Sequence, residues 1–277
     1  MKTQQLTDFS RLCVHTITTK PLSIESAVNK YAALGIRGIT VWRDALAEDG
    51  AAATGRLIRD AGLEIVSLCR GGFFPSVSKE KRAIAVADNL RALEEAADME
   101  APLVVLVCGA DSGQSLETSR LQIRAGIENI LPRAEKLGVK LAVEPLHPVY
   151  ADTRSAISTM KQANDMANWF NSPSLGVAVD VYHVWWDEEL PGEIARCGEN
   201  GKIFAFHICD WKVPVNDILN DRGLMGEGCI DIRGIRGLVE GAGFEGFNEV
   251  EIFSEIYWKT DQDKFLDKIT EAYLLHS

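Results

Sequence analysis

The sequence predicts an α/β protein whose residues 1–277 form a single domain, a (β/α)8 barrel. Short runs rich in β-branched residues alternate with longer helical patterns, and the alternation repeats eight times without a Pro/Ser-rich linker or a shift in composition. Strands that alternate with helices of about 10 to 15 residues indicate βαβ units and a parallel sheet. The length of 277 residues also suits one closed barrel, which typically has about 250.

The predicted strands are short and apolar, and each of them is followed by a predicted helix. In chain order the strands cover residues 12–18, 38–42, 64–71, 103–109, 140–146, 175–183, 203–210 and 247–253. The helices cover residues 24–34, 47–61, 79–99, 115–137, 155–170, 188–197, 232–242 and 261–274. Several helices end at a glycine that leads into the next strand, which is the C-cap signal of an αβ loop.

Composition and local motifs exclude several other classes of protein. A Rossmann-type sheet is the main alternative fold, but no G-x-G-x-x-G motif follows the first strand. The net charge of −11 argues against a nucleic-acid partner, because phosphate binding needs a basic surface. We expect a cytoplasmic protein without a membrane partner, since residues 1–11 lack the apolar core of a secretory signal. The six cysteines contain no C-x-x-C pair, so we expect reduced, structural thiols.

Four potential metal ligands occur near the ends of the last four predicted strands, where a barrel of this kind builds its active site. They are Glu144, Asp180, His207 and Glu251. Period-two alternation places the small residues at positions 176 and 178 on the same face as Asp180. In the seventh strand Ala205 and His207 share one face, and Phe204 and Phe206 share the other. We therefore expect small residues inside the barrel and the four polar side chains at its mouth.

Three carboxylates and one imidazole at one place would repel and desolvate one another unless a cation lay between them. The four residues therefore predict one bound divalent metal ion. An oxygen-rich donor set with a single nitrogen suits Mn²⁺, Mg²⁺ or Co²⁺ better than the thiolate-rich sites of structural zinc, and Zn²⁺ is a further alternative.

Five motifs support a family assignment: Val-Glu-Pro at 143–145, Val-Asp-Val-Tyr-His at 179–183, Phe-His-Ile-Cys-Asp at 206–210, Gly-Glu-Gly-Cys-Ile-Asp at 226–231 and Val-Glu-Ile-Phe at 250–253. Their order resembles that of the xylose-isomerase-like sugar isomerase/epimerase barrels, over essentially the whole chain. The resemblance implies that the four residues above bind a divalent ion, commonly Mn²⁺, and that His183 contacts the substrate. It also implies an epimerase or isomerase of keto-sugars, with Glu144 and Glu251 as an acid/base pair on opposite faces of the substrate carbon.

Two features depart from the pattern of ketose epimerases. No arginine follows the metal-binding histidine closely, because residues 210–214 read Asp-Trp-Lys-Val-Pro, and the loop after Glu144 carries His147. Together with Val-Trp-Trp-Asp at 184–187, these stretches are similar to the larger, catalytic subunits of bacterial C-glycoside deglycosidases. This second resemblance implies a lyase that cleaves 3-oxo-glycosides, uses His147 as an acid/base group and binds a small partner subunit. The epimerase alternative implies a homo-oligomer.

Further residues near strand ends are candidates for contacts with a sugar or glycoside, since aromatic rings stack on sugar faces and guanidinium groups bind hydroxyls. The candidates are Trp42, Arg43, Arg70, His15, Trp185, Trp186 and Arg222. Arg43 and Arg70 are the best of them, because they follow the second and third strands at the mouth of the barrel. We expect Glu227 to brace its loop, and Glu94 and Glu95 to lie on a solvated helix face.

A metal-dependent nuclease is a more remote alternative, because apurinic-site endonucleases share this barrel and similar ligands. Such an enzyme needs additional histidines for a three-metal cluster and a basic rim for DNA. The chain has only five histidines and is acidic, so the nuclease is disfavoured.

Overall fold

The computed structural model describes residues 5–277 and closes eight parallel strands into one barrel. Each strand pairs in parallel with the next along the chain, and the eighth pairs with the first. The strands are β1 Leu12–His15, β2 Gly38–Trp42, β3 Glu64–Gly72, β4 Leu103–Val107, β5 Lys140–Glu144, β6 Leu175–Asp180, β7 Ile203–Ile208 and β8 Asn248–Val250. The predicted (β/α)8 barrel is confirmed; residues 1–4 of the predicted domain lie outside the described residues.

Helices follow every strand and surround the barrel. They are α1 Ile24–Ala33, α2 Ala51–Asp60, α3 Lys79–Met99, α4 Leu116–Leu137, α5 Met160–Phe170, α6 Val181–Val184, α7 Leu190–Glu199, α8 Ile232–Gly241 and α9 Gln262–His276. Short 3-10 segments occur at Arg43–Ala45, Pro148–Tyr150 and Tyr257–Lys259. The helices α1, α3, α4 and α5 each begin after a Ser or Thr whose side chain accepts a hydrogen bond from a backbone N–H three residues later. This capping satisfies N–H groups that have no partner within the helix.

Several predicted boundaries near the site were wrong, and two of them change the elements around it. His183, predicted in the sixth strand, lies in α6, because Oδ1 of Asp180 accepts the N–H of Tyr182 at 2.8 Å and caps that short helix. The helix predicted from residue 155 begins at Met160, while Ser155 forms an isolated bridge with the chain after β4. The carboxyl end of β6 therefore continues into a short helix that carries His183, and the chain before α5 is irregular.

The two faces of the strands differ as the period-two pattern predicts. Large apolar side chains, including Val177 and Val179, pack outward against the helices. The barrel interior contains a small separate cluster, formed by Cys69, Leu103, Val105, Ala142, Ala178 and Ala205. Small residues therefore fill the barrel below the polar ends of β5, β6 and β7.

Phe204 departs from this alternation. The pattern places it on the outer face with Phe206, but its ring packs against the inner cluster. The register between β6 and β7 shifts between Val177 and Ala178, which makes Phe204 the extra residue of β7. A Cβ atom on Gly176 would lie 2.6 Å from the Phe204 ring, so glycine is needed at that position.

The buried Asp210 holds the base of the segment between β7 and α8 through hydrogen bonds. The carboxylate of Asp210 accepts hydrogen bonds of 2.8 to 3.0 Å from the backbone N–H groups of Trp211, Gly226, Gly228 and Ile230. The backbone of Asp210 also exchanges two hydrogen bonds of 2.9 Å with Gly223. Residues 211–222 therefore leave the barrel and return to it at one point, which brings Arg222 to the barrel mouth.

The six cysteines are free thiols, and all except Cys229 are buried. This agrees with the expected reduced state. Within residues 5–277, no helix combines the length and the apolar composition that crossing a membrane requires.

Candidate metal centre

Four buried polar side chains meet at the carboxyl ends of β5 to β8. Glu144 ends β5, Asp180 ends β6, His207 lies in β7, and Glu251 directly follows β8. Each side chain offers one ligand atom, and these four atoms lie within 4.8 Å of one another. None of the four residues is more than 4% exposed. The structure thus brings together all four residues that the sequence predicts as metal ligands.

Two of these side chains lack the hydrogen bonds that buried polar atoms normally have. Both ring nitrogens of His207 and Oε1 of Glu144 have no hydrogen-bond partner among residues 5–277. Nevertheless, Nδ1 of His207 lies 3.0 Å from that oxygen and 3.9 Å from Oε2 of Glu251. Three carboxylates and one imidazole that converge in this way suit a shared divalent cation. The residues present therefore fit the predicted metal ion.

Arg222 places a positive charge between two of the carboxylates. Its Nη1 donates to Oδ2 of Asp180 at 3.0 Å and to Oε2 of Glu251 at 2.8 Å, and its Nη2 lies 3.1 Å from Nε2 of His183. Burial raises the pKa of Asp180 to about 7, against the opposing effect of this guanidinium. Burial also acts to raise the pKa of Glu251, but Arg222 and His15 outweigh it and hold that pKa well below its usual range. Two predicted substrate contacts, Arg222 and His183, thus lie directly beside the cluster.

A second buried polar layer lies within the barrel, and it is organised by Glu249, which the sequence reasoning did not single out. Oε2 of Glu249 accepts the hydroxyl of Thr40 at 2.6 Å and lies 3.1 Å from Nε2 of His15. Nδ1 of His15 lies 3.2 Å from Oε1 of Glu251. Glu249 and Glu251 share the inner face because they are two residues apart. Period-two alternation counted back from Glu251 is therefore a signal for Glu249.

The two imidazoles of these layers lie among carboxylates. Burial alone would lower the pKa of His15, but hydrogen bonds to Glu249 and Glu251 raise it to about 9. Burial likewise opposes protonation of His207, whose pKa is raised to about 10 by Glu249 and by Glu144. The positive charges of protonated His15 and His207 balance the negative charges of the buried carboxylates. A divalent cation would compete with these protons, because it binds the same carboxylates.

His147 belongs to an aromatic group at one side of the site. Its ring centroid lies 4.9 Å from that of Trp211 and 5.7 Å from that of Trp186. Its backbone N–H donates to Nδ1 of His183 at 3.3 Å. Burial lowers the pKa of the half-buried His147, which leaves the imidazole neutral at pH 7. The predicted residues His147, His183 and Trp186 are therefore neighbours in the structure.

Trp42 and Arg70 lie on another side of the site, which is formed by β2 and β3. Trp42 lines the cavity that contains Glu144 and Glu251, and it also lines an adjoining cleft. The guanidinium carbon of Arg70 lies 4.3 Å from the ring centroid of Phe73 within that cleft. Both predicted contacts thus flank the ligand cluster.

Arg43 lies in the same cleft, but its charge is already compensated. Its guanidinium donates to both carboxylate oxygens of Asp88 and of Glu95 on α3. Glu94 pairs with Arg133 in the same manner. Glu94 and Glu95 therefore bind arginine side chains, whereas the sequence predicted a purely solvated helix face. The N–H groups of Arg43 donate to Asp88 and Glu95, so they are not available to a ligand.

The segment 212–221 closes over the site. The hydroxyls of Tyr150 and Tyr182 both donate to the carbonyl oxygen of Ile218, at 2.6 and 2.7 Å. Beside the ligand cluster this closure leaves a cavity of about 20 Å³, which has room for about one water molecule. Glu227 braces the same part of the chain, as expected, by accepting the hydroxyl of Tyr257.

Comparison with known proteins gives the family. A family model described as a xylose isomerase-like TIM barrel matches residues 28–269. An inosose isomerase of Bacillus licheniformis is 26% identical over 162 residues, which are 57% of this chain and 55% of that protein. The chain thus spans about half the length of this curated relative.

Solved structures share the whole barrel. A protein of Sinorhizobium meliloti 1021 is 43% identical, with a TM-score of 0.92 over 96% of this chain and 98% of its own. The IOLI protein with a bound zinc atom is 19% identical, with a TM-score of 0.82 over 95% of this chain and 96% of its own. A 3-keto-D-glucoside 4-epimerase of E. coli is 16% identical, with a TM-score of 0.77 over 95% and 98%. The last two likenesses show the fold alone. The chain belongs to the xylose isomerase-like TIM barrel family.

Proposed function

We propose that the chain is a divalent-metal-dependent enzyme that moves a proton on the carbon next to the carbonyl group of a keto-sugar, and so epimerises or isomerises the sugar. The observation that carries this proposal is the cluster of Glu144, Asp180, His207 and Glu251, whose ligand atoms lie within 4.8 Å of one another. The oxygen-rich donor set favours Mn²⁺, and the zinc atom in a structure of the same fold makes Zn²⁺ the main alternative.

A bound divalent ion would act as a Lewis acid, which makes the proton next to a carbonyl group easier to remove. Arg222 and His15 keep Glu251 ionised, so Glu251 takes this proton. The electrons of the broken C–H bond pass to the carbonyl oxygen and give an enediolate. Glu144, at the end of a different strand, donates a proton of its own to the opposite face of the carbon, and the carbonyl bond is restored. Proton exchange with water then returns the two carboxyl groups to their starting states.

A sugar reaches these carboxylates only when the closing segment moves. The cavity of about 20 Å³ is far smaller than a sugar, and Leu219 of the segment lines it. Trp42 and Phe253 line the same cavity, with ring centroids 5.2 Å apart, and their faces provide stacking surfaces for a sugar. We propose a small-molecule sugar as the substrate of a single-domain barrel that works as a homo-oligomer.

The position of His147 favours a second candidate function, the cleavage of 3-oxo-glycosides. A neutral imidazole beside His183, with Trp186 and Trp211 around it, provides a base and a surface for an aglycone. His147 would take the proton next to the carbonyl, and the bond from the β carbon to the leaving group would break. The shared fold of the 3-keto-D-glucoside epimerase adds support for an oxidised glycoside. Such a lyase would work with a small partner subunit.

Incubation of the Mn²⁺-loaded protein in deuterium oxide with a panel of ketoses and 3-oxo-glycosides tests the proposal. We expect deuterium at the carbon next to the carbonyl, detected by mass spectrometry, together with an epimeric or isomeric product. Release of an aglycone instead would establish the lyase.

The Glu251→Gln variant should lose this exchange and retain less metal after dialysis, because it removes a charged ligand and the proton acceptor together. Glu255→Gln is the matched control, since the side chain of Glu255 is exposed and forms an ion pair with Lys259. Metal content and exchange at the wild-type level in Glu251→Gln would refute the metal centre.

A further inference from the structure

A larger cleft adjoins the metal centre. It has a volume of about 510 Å³, and Trp42 lines both this cleft and the small cavity that contains Glu144 and Glu251. Two partly buried arginines flank the junction, because Arg70 lines the cleft and Arg154 lines the cavity. A substrate that is too large for the cavity therefore extends past these two guanidinium groups.

Neither arginine has a charged partner within residues 5–277, where no hydrogen bond or ion pair is formed by either guanidinium group. The guanidinium carbon of Arg70 lies 4.3 Å from the ring centroid of Phe73 and 5.8 Å from that of Trp42, and the guanidinium carbon of Arg154 lies 5.9 Å from the ring centroid of Tyr150. The neighbouring Arg43 shows the contrast, because two carboxylates of α3 occupy its donors. The donors of Arg70 and Arg154 are thus uncommitted at the edge of the site.

The positive charges of Arg70 and Arg154 also repel each other. Burial lowers the pKa of Arg70, and the charge of Arg154 lowers it further; Asp44 and Glu144 act in the other direction without forming an ion pair with it. Burial and the charge of Arg222 lower the pKa of Arg154. Unpaired like charges that are partly removed from water carry a free-energy penalty, which an anion lying between them relieves.

We propose that Arg70 and Arg154 bind a carboxylate or phosphate group carried by the substrate. This inference rests on the proposed function and narrows its substrate class from keto-sugars to acidic keto-sugars. The planar fork of a guanidinium pairs with either group through two parallel hydrogen bonds. A protein with a net charge of −11 repels anions in general, so it needs such a local pair of free arginines to hold one.

Three ketohexoses that differ only at C6 test the proposal: D-fructose, D-fructose 6-phosphate and D-fructuronate. Their dissociation constants for the Mn²⁺-loaded protein are measured by isothermal titration calorimetry. We expect at least one of the two acidic sugars to bind about tenfold more tightly than D-fructose, because charge-assisted bidentate hydrogen bonds are stronger than neutral ones. The acidic sugar with the higher affinity shows whether the site takes a carboxylate or a phosphate.

Two variants and a matched control assign this preference to the arginines. Arg70→Gln and Arg154→Gln should each remove the preference, because each lowers the affinity for the acidic sugar more than the affinity for D-fructose. Arg124→Gln should keep it, because Arg124 also lies over an aromatic ring, that of Trp169, but on α4 and outside both cavities. Equal affinities of the three sugars for the wild type, binding by none of them, or a preference that survives in both variants would overturn the proposal.

Deuterium exchange measured in parallel separates this inference from the proposed function. Exchange into D-fructose without any preference for acidic sugars overturns the anion site and leaves the proposed reaction standing. A preference that depends on Arg70 and Arg154, without exchange into any of the three sugars, supports the anion site and counts against the proposed reaction.

Discussion

His147, at the rim of the site, should make the stability of the folded protein depend on pH. Burial lowers the pKa of its imidazole, whereas in the unfolded chain this group titrates near about 6.5. As the pH falls through 6.5, the unfolded state therefore takes up its proton first, and the folded state loses stability. This stability is complete above the unfolded pKa and declines at lower pH.

We expect the His147→Gln variant to lose less stability than the wild type between pH 7 and pH 5, as measured by urea denaturation at both values. Part of the pH dependence should remain, because burial and Arg222 lower the pKa of His183 as well. A decline in the variant as steep as that in the wild type would contradict the assigned environment of His147.

At the scale of residues, strand periodicity predicts which side chains face into the barrel, whereas no such repeat applies to side chains in loops. Glu144, Asp180 and His207 were found because each ends an inward face of small residues. Glu249 follows the same periodicity and was overlooked. Arg154 gave no such signal, because it lies in irregular chain between Tyr150 and α5, where no repeat sets the direction of a side chain.

At the scale of elements, the contact between β6 and β7 determines how the barrel interior is filled. Gly176→Ala should destabilise the protein by about 1–3 kcal/mol, since its Cβ would lie 2.6 Å from the ring of Phe204 and from the carbonyl oxygen of Lys202. Chemical denaturation measures this loss.

Gly192→Ala is the matched control for that change. Gly192 lies in α7, is exposed, and has no atom within 4 Å of an added Cβ. Alanine there should stabilise the protein by about 0.5–1 kcal/mol, because glycine is a poor helix former. Equal effects of the two substitutions would refute the packing described for Gly176.

The order of strands and helices was predictable, since hydrophobic periodicity and glycine C-caps mark it directly. The position of Arg222 beside the metal ligands was not predictable, although the sequence indicates Arg222 as a candidate sugar contact. The sequence shows no arginine close behind His207, yet the paired backbones of Asp210 and Gly223 return the chain to the barrel and deliver Arg222 to the cluster. Such a tertiary contact leaves no local pattern in the sequence.

At the scale of the whole molecule, all eight strands belong to one closed sheet, so we expect residues 1–277 to unfold in a single calorimetric transition. Mn²⁺ should raise the transition temperature, because it binds only the folded cluster of buried acids; a free concentration of 100 times the dissociation constant adds about 2.7 kcal/mol. Glu251→Gln should reduce this increase. Two separate transitions would argue against a single domain, and a transition unaffected by Mn²⁺ would argue against the metal centre.

The hydrogen bonds of Asp210 hold residues 211–222 at their base, and this affects how a barrel of this kind can acquire a new substrate. A loop that is held at its base can lengthen at a small entropic cost, since each doubling of its length adds only about 0.6 kcal/mol. Residues 213–220 therefore form an exchangeable tip, in which insertions and substitutions leave the register of β7 and β8 intact. Selection for a new substrate can therefore change the residues of this tip, while the four ligands at the strand ends beneath it stay the same.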